Sequence, residues 1–232
     1  MATSNRMTQR IIRLLMVSWL GATTAYDPYP YNPIIHNMGN HGWRGRIHAE
    51  FAPIFTRVTD RLVYGKDLRQ HVIETEAAGK RVLDLGCGVG FSTSAAEGSL
   101  GLDTSAEMVA KGRRLFPEKE FAVGHSEHWE PDREFDVVTC FFTFHETPRL
   151  ARRTILERAK QIAKEKVIIV DISPDYCPNH AMLAGEPYLL DYLKQIESDM
   201  PEFKTRTLMP HHVEMWVYDV KPSIVNDGSK YD

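Results

Sequence analysis

From residue 80 to residue 220, short apolar and β-branched runs alternate with stretches of helical period. The apolar runs predict strands over 81–85, 99–102, 120–123, 135–142, 166–171, 204–208 and 213–220. The stretches between them predict helices over 91–96, 105–115, 149–163 and 186–198. Such alternation makes an α/β domain with a mostly parallel sheet. The run "VIIVDI" at 167–172 is apolar nearly throughout, as a strand covered on both faces should be. The first crossover is tight, because 13 residues, 86–98, separate the first two strands. A parallel connection needs about a dozen residues. Any helix there must be short.

Upstream, "IHAEFAPIFTRVTDRLVYG" at 47–65 reads as mostly helical despite Pro53. A second helix runs through "KDLRQHVIETEAA" and Gly79 stops it. Residues 26–46, rich in Pro, Gly, Asn and aromatics, read as an irregular loop. In "RIIRLLMVSWLGATTA", 10–25, Ile11, Leu14, Leu15 and Ser18 share one helical face, while the basic flank and small residues at 22–25 fit a targeting segment. Both readings stay open, and the run is too short to span a membrane. The expected division is a cap helix or targeting segment at 1–25, a helical lid at 26–78, the α/β domain at 79–220 and a frayed tail at 221–232.

Composition alters this picture little. The chain has 232 residues, 43% hydrophobic and 25% charged, which suits one large domain or one domain with additions. A net charge of −3 gives no nucleic-acid footprint. Arg149, Arg152 and Arg153 have helical spacing and read as a solvated helix face. Three cysteines, Cys87, Cys140 and Cys177, form no paired pattern and imply a reduced compartment, cytoplasmic or organellar. Cys177 and His180 make a lone C-x-x-H, and no metal site is expected.

The candidate chemistry begins at "VLDLGCGVGFST", 82–93, with Gly86, Gly88 and Gly90 directly after a strand. Glycine at a strand-to-helix turn lets a ligand touch the backbone, and a helix N-terminus behind it favours negative charge. A dinucleotide loop, G-x-G-x-x-G, would need a third glycine where Phe91 stands.

The observed D-x-G-x-G-x-G, 84–90, resembles the nucleoside-binding loop of class I S-adenosylmethionine-dependent methyltransferases. The resemblance continues in "SLGLDTSAEMV", whose strand ends on Asp103, nineteen positions after Asp84. It continues in "FAVGHSEHW", in "FDVVTCFFTFHETP" and in the helix and strand of "ARRTILERAKQI…VIIVDI". It covers 80 to about 172 and, in outline, reaches 220. His125 stands where the family often has Asp or Asn, and "AKEK" replaces its Pro-Gly-Gly turn.

The resemblance implies a Rossmann-like three-layer α/β sandwich of about seven strands, mostly parallel with the last antiparallel, under an N-terminal helical cap. It implies S-adenosylmethionine as cofactor, held by Asp84, Gly86, Cys87, Gly88, Gly90, Asp103, Thr104, Met108, His125, Ser126 and Phe141. For Cys87 and Phe141, core packing is the alternative. The family's lid and the region after its fifth strand wall the acceptor pocket, which implicates His36, Trp43, Arg44 and Tyr188.

A sulfonium methyl is already activated, so the protein's task is positioning. A base is needed only where the acceptor loses a proton, and His145 and Glu146 follow the fourth strand for that role or for acceptor binding. A capping or solvent-facing pair is the alternative. The expected reaction is methyl transfer to a small-molecule O, N, C or S acceptor, with no nucleic-acid partner and no membrane span. The competing readings are an S-adenosylmethionine-binding protein without turnover and an NAD-dependent oxidoreductase.

Overall fold

The computed structural model describes residues 34, 35 and 38–221. The segment 1–25, His36 and the tail from 222 lie outside the described residues. The described residues belong to one compact unit.

A short antiparallel pair, β1 (Ile34–Ile35) and β2 (Met38–Gly39), precedes helix α1 (Gly42–Thr59). One π-helical turn, Asp60–Tyr64, continues α1 until Gly65 closes it at φ 66°. Helix α2 (Leu68–Glu76) starts at Asp67, whose carboxylate accepts the Gln70 N–H. Then follow β3 (Val82–Leu85), β4 (Leu100–Asp103), α3 (Ala106–Leu115), β5 (Phe121–Val123) and β6 (Phe135–Phe141). A 3-10 turn, Phe144–Glu146, leads to α4 (Arg149–Ile162) and β7 (Ala163–Ile172). The chain finishes through α5 (His180–Gly185), α6 (Leu189–Asp199), β8 (Lys204–Met209) and β9 (Val213–Asp219).

The seven strands β3–β9 form one sheet in the order β5-β4-β3-β6-β7-β9-β8. The first five in that order are parallel, and β9 runs antiparallel between β7 and β8. The chain moves outward from β3 to β4 and β5, then returns to β6 on the other side of β3. Ligands bind at such a switch point, beyond the carboxyl ends of the strands.

Alternating side chains feed two cores. Leu83, Leu85, Val138, Cys140, Val167 and Ile169 pack under α4 and α6 with Ile155, Leu156 and Tyr192. Val82, Val137, Phe141, Ile168 and Val170 pack under α2 with Leu68, Val72 and Ile73. Helix α1 lies on α3 through Gly45, His48, Ala49 and Pro53. Its other face carries Trp43, Ile47, Phe51, Ile54, Phe55 and Val58, all exposed. None of the described helices is long and apolar enough to cross a membrane.

Four expectations need correction. No helix forms over 91–96, and residues 86–98 run as turns and bends. The crossover is too short, and Ser92 and Thr93 turn their hydroxyls inward onto Asp84 instead. Residues 42–46 are the first turn of α1, because the Glu107 carboxylate accepts the Gly42 N–H and caps it from outside. "AKEK" is the start of β7, which follows α4 without a turn at Ala163, φ −67° and ψ 133°. Arg152 belongs to no solvated face: it is fully buried, 2.9 Å from Asp191 and 3.5 Å from Asp199. The acids of α6 supply the counter-charges that sequence spacing could not reveal.

Candidate active site

The carboxyl ends of β3, β4, β5, β6 and β7 line one edge of the sheet, and two polar centres stand there. The first is the glycine loop. Gly86, Gly88 and Gly90 all take positive φ, at 72°, 54° and 92°, where side chains are disfavoured. Each is bare for a different reason. A Cβ at Gly86 would lie 2.5 Å from Thr143 Oγ1, at the junction of β3 and β6. A Cβ at Gly90 would lie 2.5 Å from the Phe121 ring. At Gly88 it would meet nothing within 4 Å. Gly90 is therefore bare for packing, while Gly88 borders open space.

Asp84 lies beneath this loop and is completely buried. Its carboxylate accepts the hydroxyls of Ser92 and Thr93, each at 2.8 Å, and of Thr139 at 3.2 Å. Thr139 reaches it because parallel register sets the two side by side in β6 and β3. Burial pushes the Asp84 carboxyl up to about 6, with the three hydroxyls opposing. Asp84 thus folds the loop rather than facing a ligand.

The loop amides are also engaged: Gly86 and Cys87 donate to the Leu102 carbonyl, at 2.8 and 3.0 Å. Gly88 N–H donates to Asp103 Oδ2 at 2.8 Å, and Ser105 N–H to Asp103 Oδ1 at 2.8 Å. Asp103 closes β4 half-buried. Burial raises its pKa against those two bonds, and the Glu146 charge raises it further.

The second centre is a histidine between carboxylates. His145 sits in the 3-10 turn after β6 and is 4% exposed. Its Nδ1 lies 2.6 Å from Oδ1 of Asp171, near the end of β7. Asp171 also accepts the N–H groups of Phe144, His145 and Ile172. With Nδ1 against Asp171, Nε2 faces Glu146 Oε1, 3.7 Å away. Among the described residues, His145, Glu146 and Glu186 bring one ligand atom each within 4.8 Å of one another. Burial opposes the charged imidazole, yet Asp171, Glu146 and Glu186 together hold its pKa above the ordinary value.

Three of the cofactor candidates are buried among apolar side chains. Phe141 is buried under α2, and Cys87 packs with Val109 and Phe121. Burial pushes the Cys87 thiol well up, so it is an inert apolar group here. Met108 is buried with Ala49 and Val89, joining α3, α1 and the glycine loop. Thr104, His125 and Ser126 remain half-buried after β4 and β5. Trp43 stays on the outward face of α1 with the Arg44 guanidinium 5.3 Å from its ring. Tyr188 opens α6, two residues after Glu186.

Asp171, Glu186 and Arg152 were not expected at the site. Asp171 had a signal, as the acid that closes an apolar strand. Glu186 had none. Arg152 donates to the Thr147 carbonyl at 2.7 Å and thereby pins the turn that carries His145.

Residues 82–166 match the family described as "Methyltransferase domain". A trans-aconitate 2-methyltransferase of Afipia carboxidovorans is 26% identical over 154 residues, covering 63% of this chain and 57% of that protein. One from Rhodopseudomonas palustris is 32% identical over 77 residues, covering 31% of this chain and 30% of that protein. The chain thus spans little more than half the length of the first of these relatives. Among solved structures, a TehB-like S-adenosylmethionine-dependent methyltransferase from Corynebacterium glutamicum superposes with TM-score 0.54 at 18% identity, covering 75% of this chain and 99% of that one. Magnesium protoporphyrin IX methyltransferase from Synechocystis, with bound S-adenosylhomocysteine, gives 0.51 at 14% identity, covering 76% and 98%. At these identities the structural likeness establishes the fold.

Proposed function

We propose that this chain, whose residues 82–166 form a class I S-adenosylmethionine-dependent methyltransferase domain, moves a methyl group from S-adenosylmethionine to a small-molecule acceptor. S-Adenosylhomocysteine is the second product. The observation that carries the reading is Asp103 beside Gly88: a half-buried carboxylate at a strand end, against a loop that opens on free space. Each carboxylate oxygen of Asp103 accepts one backbone N–H and keeps a second lone pair for a ribose hydroxyl.

Charge decides between cofactors. A dinucleotide brings a pyrophosphate, which needs a helix N-terminus behind the loop. Here no helix follows the loop, and the edge carries Asp103, Glu146 and Glu186. A sulfonium with an ammonium beside it suits that edge, and a pyrophosphate does not. In this reading Asp84 shapes the loop, His125 and Ser126 flank the adenine, and α1 covers the cofactor end. Helix α1 is held there by Ser105 Oγ donating to the Asn40 carbonyl at 2.6 Å and by Gly42 N–H on Glu107 at 2.8 Å.

His145 and Glu146 border the acceptor. With Nδ1 committed to Asp171, His145 presents Nε2 for a proton or for an acceptor polar group. The relatives' names give trans-aconitate as their acceptor. Trans-aconitate therefore joins neutral and basic acceptors in the panel.

The test is S-adenosylhomocysteine release from labelled S-adenosylmethionine across phenols, alcohols, amines, thioethers and carboxylic acids. Acceptor-dependent release supports the proposal. Tight cofactor binding with no release across the panel would favour a binding protein without turnover.

A further inference from the structure

We propose that His145 Nε2, Glu146 and Glu186 hold a divalent transition-metal ion at the acceptor end of the site. The inference deepens the reading above, by giving the acceptor pocket a resident cation, and rests on that reading only for the ion's use.

The donor set comes from two places in the chain: the 3-10 turn after β6 supplies two ligands, and Glu186, which caps the C-terminus of α5, supplies the third. His145 and Glu186 are 4% and 3% exposed, so two of the three donors are shielded from solvent. All three ligand atoms lie within 4.8 Å, and Nε2 is already 3.7 Å from Glu146 Oε1. An ion bound at 2.0–2.2 Å from each ligand sets its donors roughly 3–3.5 Å apart. Small side-chain rotations close that gap.

Asp171 supplies the stronger argument. A metal-bound imidazole nearly always donates its other ring N–H to a carboxylate, a backbone carbonyl or water, which fixes the tautomer and strengthens the ligand. Asp171 does this to His145 at 2.6 Å, and three backbone N–H groups hold Asp171 itself in place. One imidazole with two carboxylates suits Zn²⁺, Mn²⁺, Fe²⁺ or Co²⁺ better than the all-oxygen preference of Mg²⁺ and Ca²⁺. Three protein ligands leave coordination positions for an oxygen of the acceptor. As a Lewis acid it lowers the pKa of a bound hydroxyl. The acceptor class that follows is an oxygen donor, either a phenol or alcohol or a carboxylic acid.

The experiment titrates the chelator-treated full chain with cobalt(II) alone and reads the visible d–d spectrum. S-Adenosylhomocysteine binding is measured by calorimetry on the same preparation. The expected result is saturation at one equivalent. Glu146→Gln should weaken binding at least tenfold, and Glu146 is partly exposed, so this variant should fold. Asp171→Asn should weaken it about 10- to 100-fold, since it loses only the orienting partner. His211→Ala, which removes the exposed His211–Asp175 pair, should change nothing. Failure to saturate with cobalt, zinc or manganese overturns the inference, as does unchanged affinity in Glu146→Gln. Homocysteine-cofactor binding without metal binding removes this inference alone. Metal binding without cofactor binding removes the methyltransferase reading and leaves the ion site standing.

Discussion

His145 Nδ1 meets Asp171 Oδ1 at 2.6 Å across 26 residues of sequence, joining the turn after β6 to the end of β7. Two adjacent parallel strands thereby fix one imidazole, and the geometry leaves Nε2 as the group that faces the remaining carboxylates.

Asp171→Asn should therefore lower turnover about 10- to 100-fold, the loss of a charge-assisted hydrogen bond worth about 1.5–3 kcal/mol. Its S-adenosylhomocysteine affinity should stay close to that of the wild type. Calorimetry beside steady-state kinetics separates the two, and equal turnover in a folded variant would remove the dyad from the reaction.

Asp103→Ala should act on the other parameter. It removes the carboxylate that accepts Gly88 and Ser105 and that we assign to the ribose. Cofactor affinity should fall about 10- to 100-fold, again from hydrogen bonds to a charged group. Unchanged affinity in a folded variant would contradict the ribose assignment.

Asp84 makes stability depend on pH. Its folded pKa of about 6 lies above the ordinary 3.8, so the native state binds the proton more tightly than the unfolded chain. The resulting stabilisation is complete below about pH 4 and is lost as pH rises through about 6. A shift of this size corresponds to about 3 kcal/mol. Asp84→Asn should flatten that part of the profile in urea unfolding between pH 4 and 7. A parallel wild-type and variant profile would show that burial does not govern this carboxyl.

Arg152→Met should destabilise the fold. It leaves Asp199, 1% exposed, with Arg149 as its remaining described partner at 2.8 Å. Breaking a buried pair costs about 3–5 kcal/mol, and the low end applies while Arg149 remains. Urea unfolding of the variant measures this, and stability equal to the wild type would show that the buried pair contributes nothing net.

The sheet was legible because period and apolarity report burial directly, and every expected strand of 81–220 has a counterpart. The first crossover was not. A helical pattern over 91–96 competes with an unfilled carboxylate below it, and the hydroxyls of Ser92 and Thr93 satisfy that carboxylate only outside a helix. Asp103 and His145 could be found from their places after strands. Glu186 and Arg152 could not, because their partners lie 41 residues back at His145 and 47 residues on at Asp199. Tertiary placement, not local pattern, gives them their roles.

Direct cofactor binding tests the central claim most sharply. Calorimetric titration of the full chain with S-adenosylmethionine, S-adenosylhomocysteine and NADH should show one site for each adenosyl amino acid and none for NADH. Heat from NADH alone would contradict the account.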